Sequence, residues 1–266
     1  MKLSFASARR RSPSPAGRLV VHRNFESKIL GNQRDLIVWL PPGYEQQRPR
    51  RYPVLYAHDG QNLFDPATAY LGVDWQMGAT AEALILQRRV RPFLLVGIYN
   101  TPARQEEYTP IRGRAYAEFL LREVMPFISR EYRIASGRRA TGLLGSSLGG
   151  LISFYLTWWH PEVFGMAACL SASWMWQGAR VFKDLAAMTT PRPRPKIYLD
   201  HGSEGAEGDN AVIFHRMRDT LVAKGFALGK DLEYFYGVGD RHDEASWARR
   251  AWRPLVFFFG TAGRDS

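Results

Sequence analysis

A serine flanked by glycines is the feature of this chain best suited to covalent chemistry. Residues 145–150 read Gly-Ser-Ser-Leu-Gly-Gly and contain one G-x-S-x-G frame, centred on Ser147. The residues before and after it predict a strand, a tight turn and a helix, which is the context of a nucleophile elbow. Such a turn needs small residues two positions either side, and Gly145 and Gly149 meet that need. A hydroxyl presented in this way could attack a carbonyl carbon; the alternative is a glycine-rich turn without chemistry.

A serine hydroxyl is a weak nucleophile until a base takes its proton, and histidine is the usual base. Of the six histidines, His242 lies in the glycine-rich loop 237–244, between the last predicted strand and the closing helix. A loop there lets a side chain reach the carboxyl ends of the strands, where ligands bind in open α/β sheets. We therefore predict His242 as the base. The alternative is a surface histidine paired with Asp240 or Asp243.

The base needs a carboxylate to fix its tautomer, and in chain order this acid comes between the serine and the histidine. The carboxylates that qualify by following the predicted strand 196–199 are Asp200, Glu204, Glu207 and Asp209. Glu204 lies in the loop 201–205, where neighbouring glycines permit a sharp bend. We therefore favour Glu204, with Asp200 and Asp209 as the alternatives. For each of them, the competing interpretation is a solvated loop carboxylate.

Ester chemistry also requires donors for the oxyanion of the tetrahedral intermediate. One is normally the backbone N–H after the nucleophile, here Leu148, and the other comes from a loop after an early strand, for which we predict the N–H of Gln61. Trp174, Trp176 and Tyr108 follow predicted strands and could line a substrate pocket. Aromatic residues in such loops are as often plain packing as substrate contacts.

The elements that must position these residues alternate along the chain. The predicted strands cover 36–40, 52–57, 93–98, 142–144, 165–170, 196–200 and 232–236, and the predicted helices cover 115–128, 148–159, 210–224 and 245–259. Most strands are near-continuous apolar runs, as in strands that are buried on both faces. The pattern predicts an α/β fold, with a mostly parallel central sheet and helices on both faces.

Composition bounds the remaining possibilities. The chain has 266 residues, enough for one large α/β domain, and a formal net charge of +11. We predict a basic, disordered tail at residues 1–23 and the domain at 24–266, with no secretory signal, because Arg9–Arg11 precede no apolar run. Cys169 is the only cysteine, so intramolecular disulfides are impossible. This permits a reducing compartment, and we predict a cytoplasmic location. No membrane, nucleic-acid, metal or nucleotide motif is present, so we expect no cofactor.

Several segments together resemble the putative esterase family of α/β-hydrolases, the esterase D-like group. The matching segments are 40–44, 56–65, 107–110, 145–150 and 239–244, spread over roughly residues 25–260. The resemblance implies an α/β-hydrolase fold and a serine hydrolase with Ser147 and His242 at the nucleophile and base positions. It also implies that Gln61 is the second oxyanion donor.

The predicted function is therefore hydrolysis of a small-molecule carboxylic ester through an acyl-enzyme intermediate. One alternative within the same fold is transfer of the acyl group to another alcohol. A second alternative, from another class of protein, is a catalytically silent binding module that keeps the fold.

Overall fold

The computed structural model describes residues 17–261, which form one mixed eight-stranded sheet with helices packed on it. The strands are β1 (Arg18–Ser27), β2 (Asn32–Leu40), β3 (Val54–His58), β4 (Leu94–Ile98), β5 (Thr141–Ser146), β6 (Met166–Leu170), β7 (Lys196–Gly202) and β8 (Leu232–Gly237). Their order across the sheet is β1-β2-β4-β3-β5-β6-β7-β8. β2 is antiparallel to its two neighbours, β1 and β4. The other six strands, β3 to β8, are mutually parallel.

The helices connect these strands. They are α1 (Met77–Leu86), α2 (Arg104–Glu107), α3 (Gly113–Phe119), α4 (Met125–Glu131), α5 (Leu148–Trp159), α6 (Trp176–Ala187), α7 (Ala206–Asp209), α8 (Ala211–Ala223), α9 (Glu244–Arg250) and α10 (Trp252–Phe259). A π-helical segment, Leu120–Val124, joins α3 to α4. Among the described residues, no helix combines the length and the apolar character needed to cross a bilayer.

The central strands are buried on both faces because side chains alternate along a strand and each face carries its own apolar core. On β5, Leu143 belongs to the core that α3, α5 and α8 cover. Its neighbour Leu144 belongs to the other core, which α1 and α10 cover. Burying one such leucine contributes roughly 1.5–3 kcal/mol. The predicted mostly parallel sheet with helices on both faces is confirmed.

The first strand differs from the prediction. β1 begins at Arg18 and pairs with β2, so residues 18–23 belong to the sheet rather than to a tail. Its alternation is weak because it is an edge strand: Leu19 remains 43% exposed, and the pairing register shifts between His22 and Phe25. The rest of the predicted tail, residues 1–16, lies outside the described residues.

The predicted closing helix is divided in two. α9 ends at Arg250 and α10 begins at Trp252. Pro254 lies in the first turn of α10, and a proline has no N–H to donate to the carbonyl four residues earlier. The continuous helix therefore stops where that bond would be needed. Arg250, the last residue of α9, has a buried side chain.

Candidate active site

The predicted strand–turn–helix around Ser147 is present. β5 ends at Ser146, α5 begins at Leu148, and Ser147 between them has φ 55° and ψ −122°, a conformation that costs energy for a residue with a side chain. A Cβ added to Gly145 would overlap the backbone of Gly149, so the strand and the helix touch there. The glycines are needed for this close approach, and the strained turn presents Ser147 at the carboxyl edge of the sheet.

The contact between Gly145 and Gly149 predicts a stability effect. Gly145→Ala should lower the free energy of unfolding by roughly 1–3 kcal/mol or more, because an added methyl forces the strand and helix apart. Gly78→Ala is the matched control: Gly78 is inside α1, and the nearest atom to an added Cβ is 3.2 Å away in the Trp39 indole. Urea unfolding of both variants measures the difference. Equal stability of the two variants would contradict the packing assigned to the elbow.

The elbow is joined to the segment that follows β6. The Ser147 N–H donates to the Leu170 carbonyl over 3.0 Å, and the Ser173 N–H donates to the Ser147 carbonyl over 3.0 Å. The Ser147 Oγ lies 3.1 Å from the Ser173 Oγ, so the two hydroxyls form a hydrogen bond. Ser173 therefore links the nucleophile candidate to the cavity described below.

His242 is paired with a buried carboxylate. Its Nδ1 lies 2.8 Å from Oε1 of Glu207, a residue that is only 2% exposed. An ionised carboxylate only accepts, so we assign the proton to Nδ1, which leaves Nε2 as the acceptor. This is the tautomer that a general base requires.

Glu207 is held in its charged form. Burial alone would raise the pKa of this carboxyl group. Hydrogen bonds from His242, from the Ser171 hydroxyl and from the Gly202 N–H outweigh burial and bring the pKa below its usual value. A carboxylate that stays ionised can stabilise an imidazolium when His242 takes a proton.

The carboxylates that the sequence favoured lie elsewhere. Glu204 is exposed, and its Oε1 accepts a hydrogen bond from the Ser203 Oγ over 3.2 Å. Asp209 is exposed as well. Asp200 is buried, but its carboxylate is paired with Arg250 at 3.1 Å.

The reason is the path of the chain between β7 and α8. Gly205 has φ 60° and turns the backbone into the short helix α7. This helix brings Glu207 back to the end of β7, where its carboxylate accepts from the Gly202 N–H. Glu207 therefore occupies the position beside His242 for which the sequence favoured Glu204. Glu207 met the requirement of chain order, but no local sequence pattern distinguished it from the other three carboxylates.

The two predicted oxyanion segments lie side by side. The N–H of Leu148 is in the first turn of α5, where N–H groups have no partner within the helix. Gln61 lies in a tight turn, Gly60–Asn62, directly after β3. A Cβ added to Gly149 would lie 3.2 Å from the Cβ of His58, which shows that the end of β3 packs against the elbow.

Neighbouring residues hold the Gln61 turn in place. Gly60 lacks a side chain because it packs directly against the backbone of β4 at Gly97. Asp59 adopts φ 55°, and both of its carboxylate oxygens accept hydrogen bonds from Arg104 at 2.7 Å. The side chain of Gln61 is used as well, since its Oε1 accepts from the Asn100 N–H over 3.2 Å.

A cavity of about 260 Å³ opens beside His242 and is mostly apolar. It is lined by Ser171, Ala172, Ser173, Trp174, Met175, Ala206, Glu207, Asn210, Phe214 and His242. Of the three aromatic residues predicted to line a pocket, Trp174 is in this wall, whereas Trp176 is not. Tyr108 is wholly buried near the Gly60–Asn62 turn, where its hydroxyl accepts from the Asp59 N–H over 3.3 Å.

A metal site has no support in the described part of the chain. Within residues 17–261, no group of three or more histidine, cysteine, aspartate or glutamate side chains is arranged to hold a metal ion.

Together these features define a class of protein. A mostly parallel sheet, a strained serine between a strand and a helix, and a histidine loop after the last strand constitute the α/β-hydrolase fold. The family described as "Putative esterase" matches residues 27–253. The chain therefore belongs to this family and is a carboxylesterase-type hydrolase.

Two relatives in Bacillus subtilis have no described function. YbbA is 25% identical over 216 residues, covering 74% of this chain and 80% of YbbA. YjcH is 30% identical over 159 residues, covering 57% of this chain and 61% of YjcH. A third relative, the endo-1,4-beta-xylanase/feruloyl esterase of Xylanibacter ruminicola, is 24% identical over 231 residues. That match covers 85% of this chain but only 29% of the larger protein.

Solved structures share the fold. The enterobactin esterase FES of Shigella flexneri superposes with a TM-score of 0.70 at 17% identity, covering 93% of this chain and 60% of FES. A ferulic acid esterase superposes with a TM-score of 0.72 at 20% identity, covering 92% of this chain and 98% of that protein.

Proposed function

We propose that this protein hydrolyses carboxylic esters of small molecules through an acyl-enzyme intermediate on Ser147. His242 is the general base, and Glu207 is the carboxylate that orients it. The observation that carries the proposal is the 2.8 Å hydrogen bond between His242 Nδ1 and the buried Glu207 carboxylate, on the same sheet edge as the strained Ser147. Glu207 replaces the acid that the sequence favoured, Glu204.

The first half-reaction forms the acyl-enzyme. Ser147 Oγ attacks the ester carbonyl carbon while His242 Nε2 takes the hydroxyl proton. The carbonyl electron pair moves onto oxygen, and the N–H groups of Leu148 and Gln61 stabilise this oxyanion. Each such donor contributes roughly 3–4 kcal/mol in the transition state. His242 then protonates the leaving alkoxide, and the alcohol departs.

The second half-reaction releases the acid. His242 takes a proton from water, the resulting nucleophile attacks the acyl carbon, and Ser147 leaves with the proton returned from His242. Glu207 remains ionised throughout, so that the transient imidazolium has a facing charge. In the alternative reaction, acyl transfer, a second alcohol takes the place of water.

We propose that the cavity beside His242 receives one side of the ester. Its volume of about 260 Å³ favours a compact group, because pockets for drug-sized ligands span roughly 300–1,000 Å³. The apolar wall formed by Trp174, Met175 and Phe214 suits a flat or branched apolar group. The names of the feruloyl esterase and the ferulic acid esterase make feruloyl esters the first substrates to test.

The cavity predicts a change in selectivity at Met175, which is 49% exposed at its edge. Met175→Trp should raise KM for a bulky p-nitrophenyl ester by roughly tenfold, the cost of about 1.4 kcal/mol of lost fit, and leave p-nitrophenyl acetate nearly unaffected. Val212→Trp is the control, because Val212 is exposed on α8 outside the cavity lining. Equal changes in KM in both variants would show that the cavity is not part of the substrate site.

A panel of p-nitrophenyl esters of increasing acyl length, with feruloyl and acetylated sugar esters added, tests the proposed hydrolysis. The same assay with acceptor alcohols separates hydrolysis from acyl transfer, because transfer produces a new ester instead of the free acid. Hydrolysis of none of these esters by the folded protein would favour the silent binding module.

A further inference from the structure

The segment that follows β6 is fixed against the nucleophile elbow at two points. Ala172 lies against the first turn of α5, where a Cβ added to Gly150 would be 2.8 Å from the Ala172 Cβ. The buried indole of Trp174 packs edge-on against the ring of Phe154 on α5, with 5.4 Å between the ring centroids. Ser173 lies between these two contacts, so the packing of its neighbours sets its position relative to the elbow.

Backbone hydrogen bonds tie Ser173 to the elbow as well. Its N–H donates to the Ser147 carbonyl over 3.0 Å, while the Ser147 N–H donates to the Leu170 carbonyl at the end of β6. The nucleophile candidate is therefore bonded through both its N–H and its carbonyl to the stretch of chain that carries Ser173. The side chain of Ser173 is half-buried in the wall of the cavity beside His242.

The hydroxyl groups of Ser147 and Ser173 are hydrogen-bonded, and only one direction of this bond suits a working nucleophile. Each hydroxyl has a single proton to donate. His242 takes the proton of Ser147 in the proposed reaction, so that proton is not available to Ser173. The proton between the two oxygens then comes from Ser173, with Ser147 Oγ as its acceptor over 3.1 Å. Among the described residues, Ser147 is the one side-chain partner of the Ser173 hydroxyl.

This bond should become stronger when negative charge forms on Ser147 Oγ. Its length of 3.1 Å exceeds the about 2.7–2.8 Å that is usual between neutral hydroxyls. A hydrogen bond to an ionised oxygen is shorter and roughly twice as strong as a neutral one. Charge develops on Oγ when its proton leaves during attack, and again when Oγ departs from the acyl carbon. An interaction that is stronger in the transition state than at rest accelerates the reaction.

We propose that Ser173 is a further catalytic residue: its hydroxyl donates to Ser147 Oγ and stabilises the charge that forms there in both half-reactions. Ser173 keeps its own proton and forms no covalent bond. The N–H groups of Leu148 and Gln61 act on the other oxygen, the one that was the ester carbonyl. The inference rests on the proposed function for its part in ester hydrolysis, but its effect on Ser147 can be measured without any ester.

The test compares Ser173→Thr with Ser173→Val, because these two side chains have nearly the same shape and differ in the hydroxyl. The added methyl is common to both variants, so its effect cancels. The measurement is the second-order rate constant for labelling of Ser147 by a fluorophosphonate probe. It should be roughly 5- to 10-fold lower in Ser173→Val, because a hydrogen bond to a charged acceptor contributes that much more than a neutral one.

Ser173→Ala repeats the comparison without the added methyl, and it should slow labelling by a similar factor relative to the wild type. Ser153→Ala is the matched control. Ser153 is wholly buried on α5, and its hydroxyl donates to the Gly149 carbonyl over 2.8 Å rather than to Ser147. Loss of this hydroxyl near the elbow should leave the labelling rate nearly unchanged.

Kinetics on an ester that the wild type hydrolyses give the second measurement. In Ser173→Val, kcat should be lower than in Ser173→Thr by the same roughly 5- to 10-fold. KM should change little, because the hydroxyl acts on Ser147 Oγ and not on the bound ester. A raised KM with kcat unchanged would show that Ser173 binds the substrate instead, and would overturn the inference.

Thermal unfolding confirms that each variant is folded before the rates are compared. Equal labelling rates in Ser173→Thr and Ser173→Val, or an unchanged rate in Ser173→Ala, would also overturn the inference, and a wild type that hydrolyses esters would leave the proposed function intact. The expected difference in labelling, in a protein that hydrolyses no ester, would instead overturn the proposed function alone.

Discussion

Ser147→Ala should abolish ester hydrolysis, with kcat reduced by at least about 10⁴-fold, because loss of a serine nucleophile removes the covalent route. Alanine has a Cβ, as serine does, so the backbone strain at the elbow is unchanged. The variant should therefore fold as well as the wild type. The measurement is p-nitrophenyl acetate hydrolysis beside a thermal unfolding curve.

Ser146→Ala is the matched control for this result. Ser146 is the neighbouring serine, buried at the end of β5, and it is not at the turn. Its variant should keep activity within a few fold of the wild type. Equal loss in both variants would indicate damage to the elbow, and full activity of Ser147→Ala would remove Ser147 from the reaction.

Glu207→Gln should reduce kcat by roughly 10²- to 10⁴-fold, as in other triads whose acid becomes an amide. The amide keeps the shape of the side chain but loses the charge that faces the imidazolium, and its NH₂ group can favour the wrong tautomer of His242. KM should change little, because Glu207 acts through His242. The measurement is steady-state kinetics on the same ester.

Glu204→Gln and Asp209→Asn are the controls for the acid, and each should reduce kcat by less than about tenfold, because an exposed carboxylate contributes little. Asp200→Asn should lower stability by several kcal/mol, on the order of the 3–5 kcal/mol for breaking a buried ion pair. A larger kinetic loss in Glu204→Gln than in Glu207→Gln would contradict the assignment.

The sequence predicted the fold well because its signals are local. Apolar runs predicted the strands β2 to β8, and apolar residues at helical spacing predicted helices between them. The glycines around Ser147 predicted the strand–turn–helix. β1 was missed because an edge strand with exposed Leu19 and a register shift shows little alternation. The break at Arg250 was missed because helical spacing alone does not register the missing N–H of Pro254.

The site was predictable only in part. The elbow and the histidine loop each have a local pattern, whereas the acid depends on how the chain folds back after Gly205. The choice of Glu207 over Glu204 follows from a positive φ and from donors on Gly202 and Ser171, which are distant in sequence. For the same reason, no sequence pattern predicts the hydrogen bond from Arg250 to Ser171 or the ion pair of Arg250 with Asp240.

Labelling by a fluorophosphonate probe shows directly whether Ser147 is an activated nucleophile, because the probe reacts with activated serines. We expect one adduct, found by peptide mass spectrometry on Ser147 and not on Ser146 or Ser173, and much slower labelling of His242→Gln. Absence of any adduct on the folded wild-type protein, or an adduct on another serine, would contradict this role of Ser147.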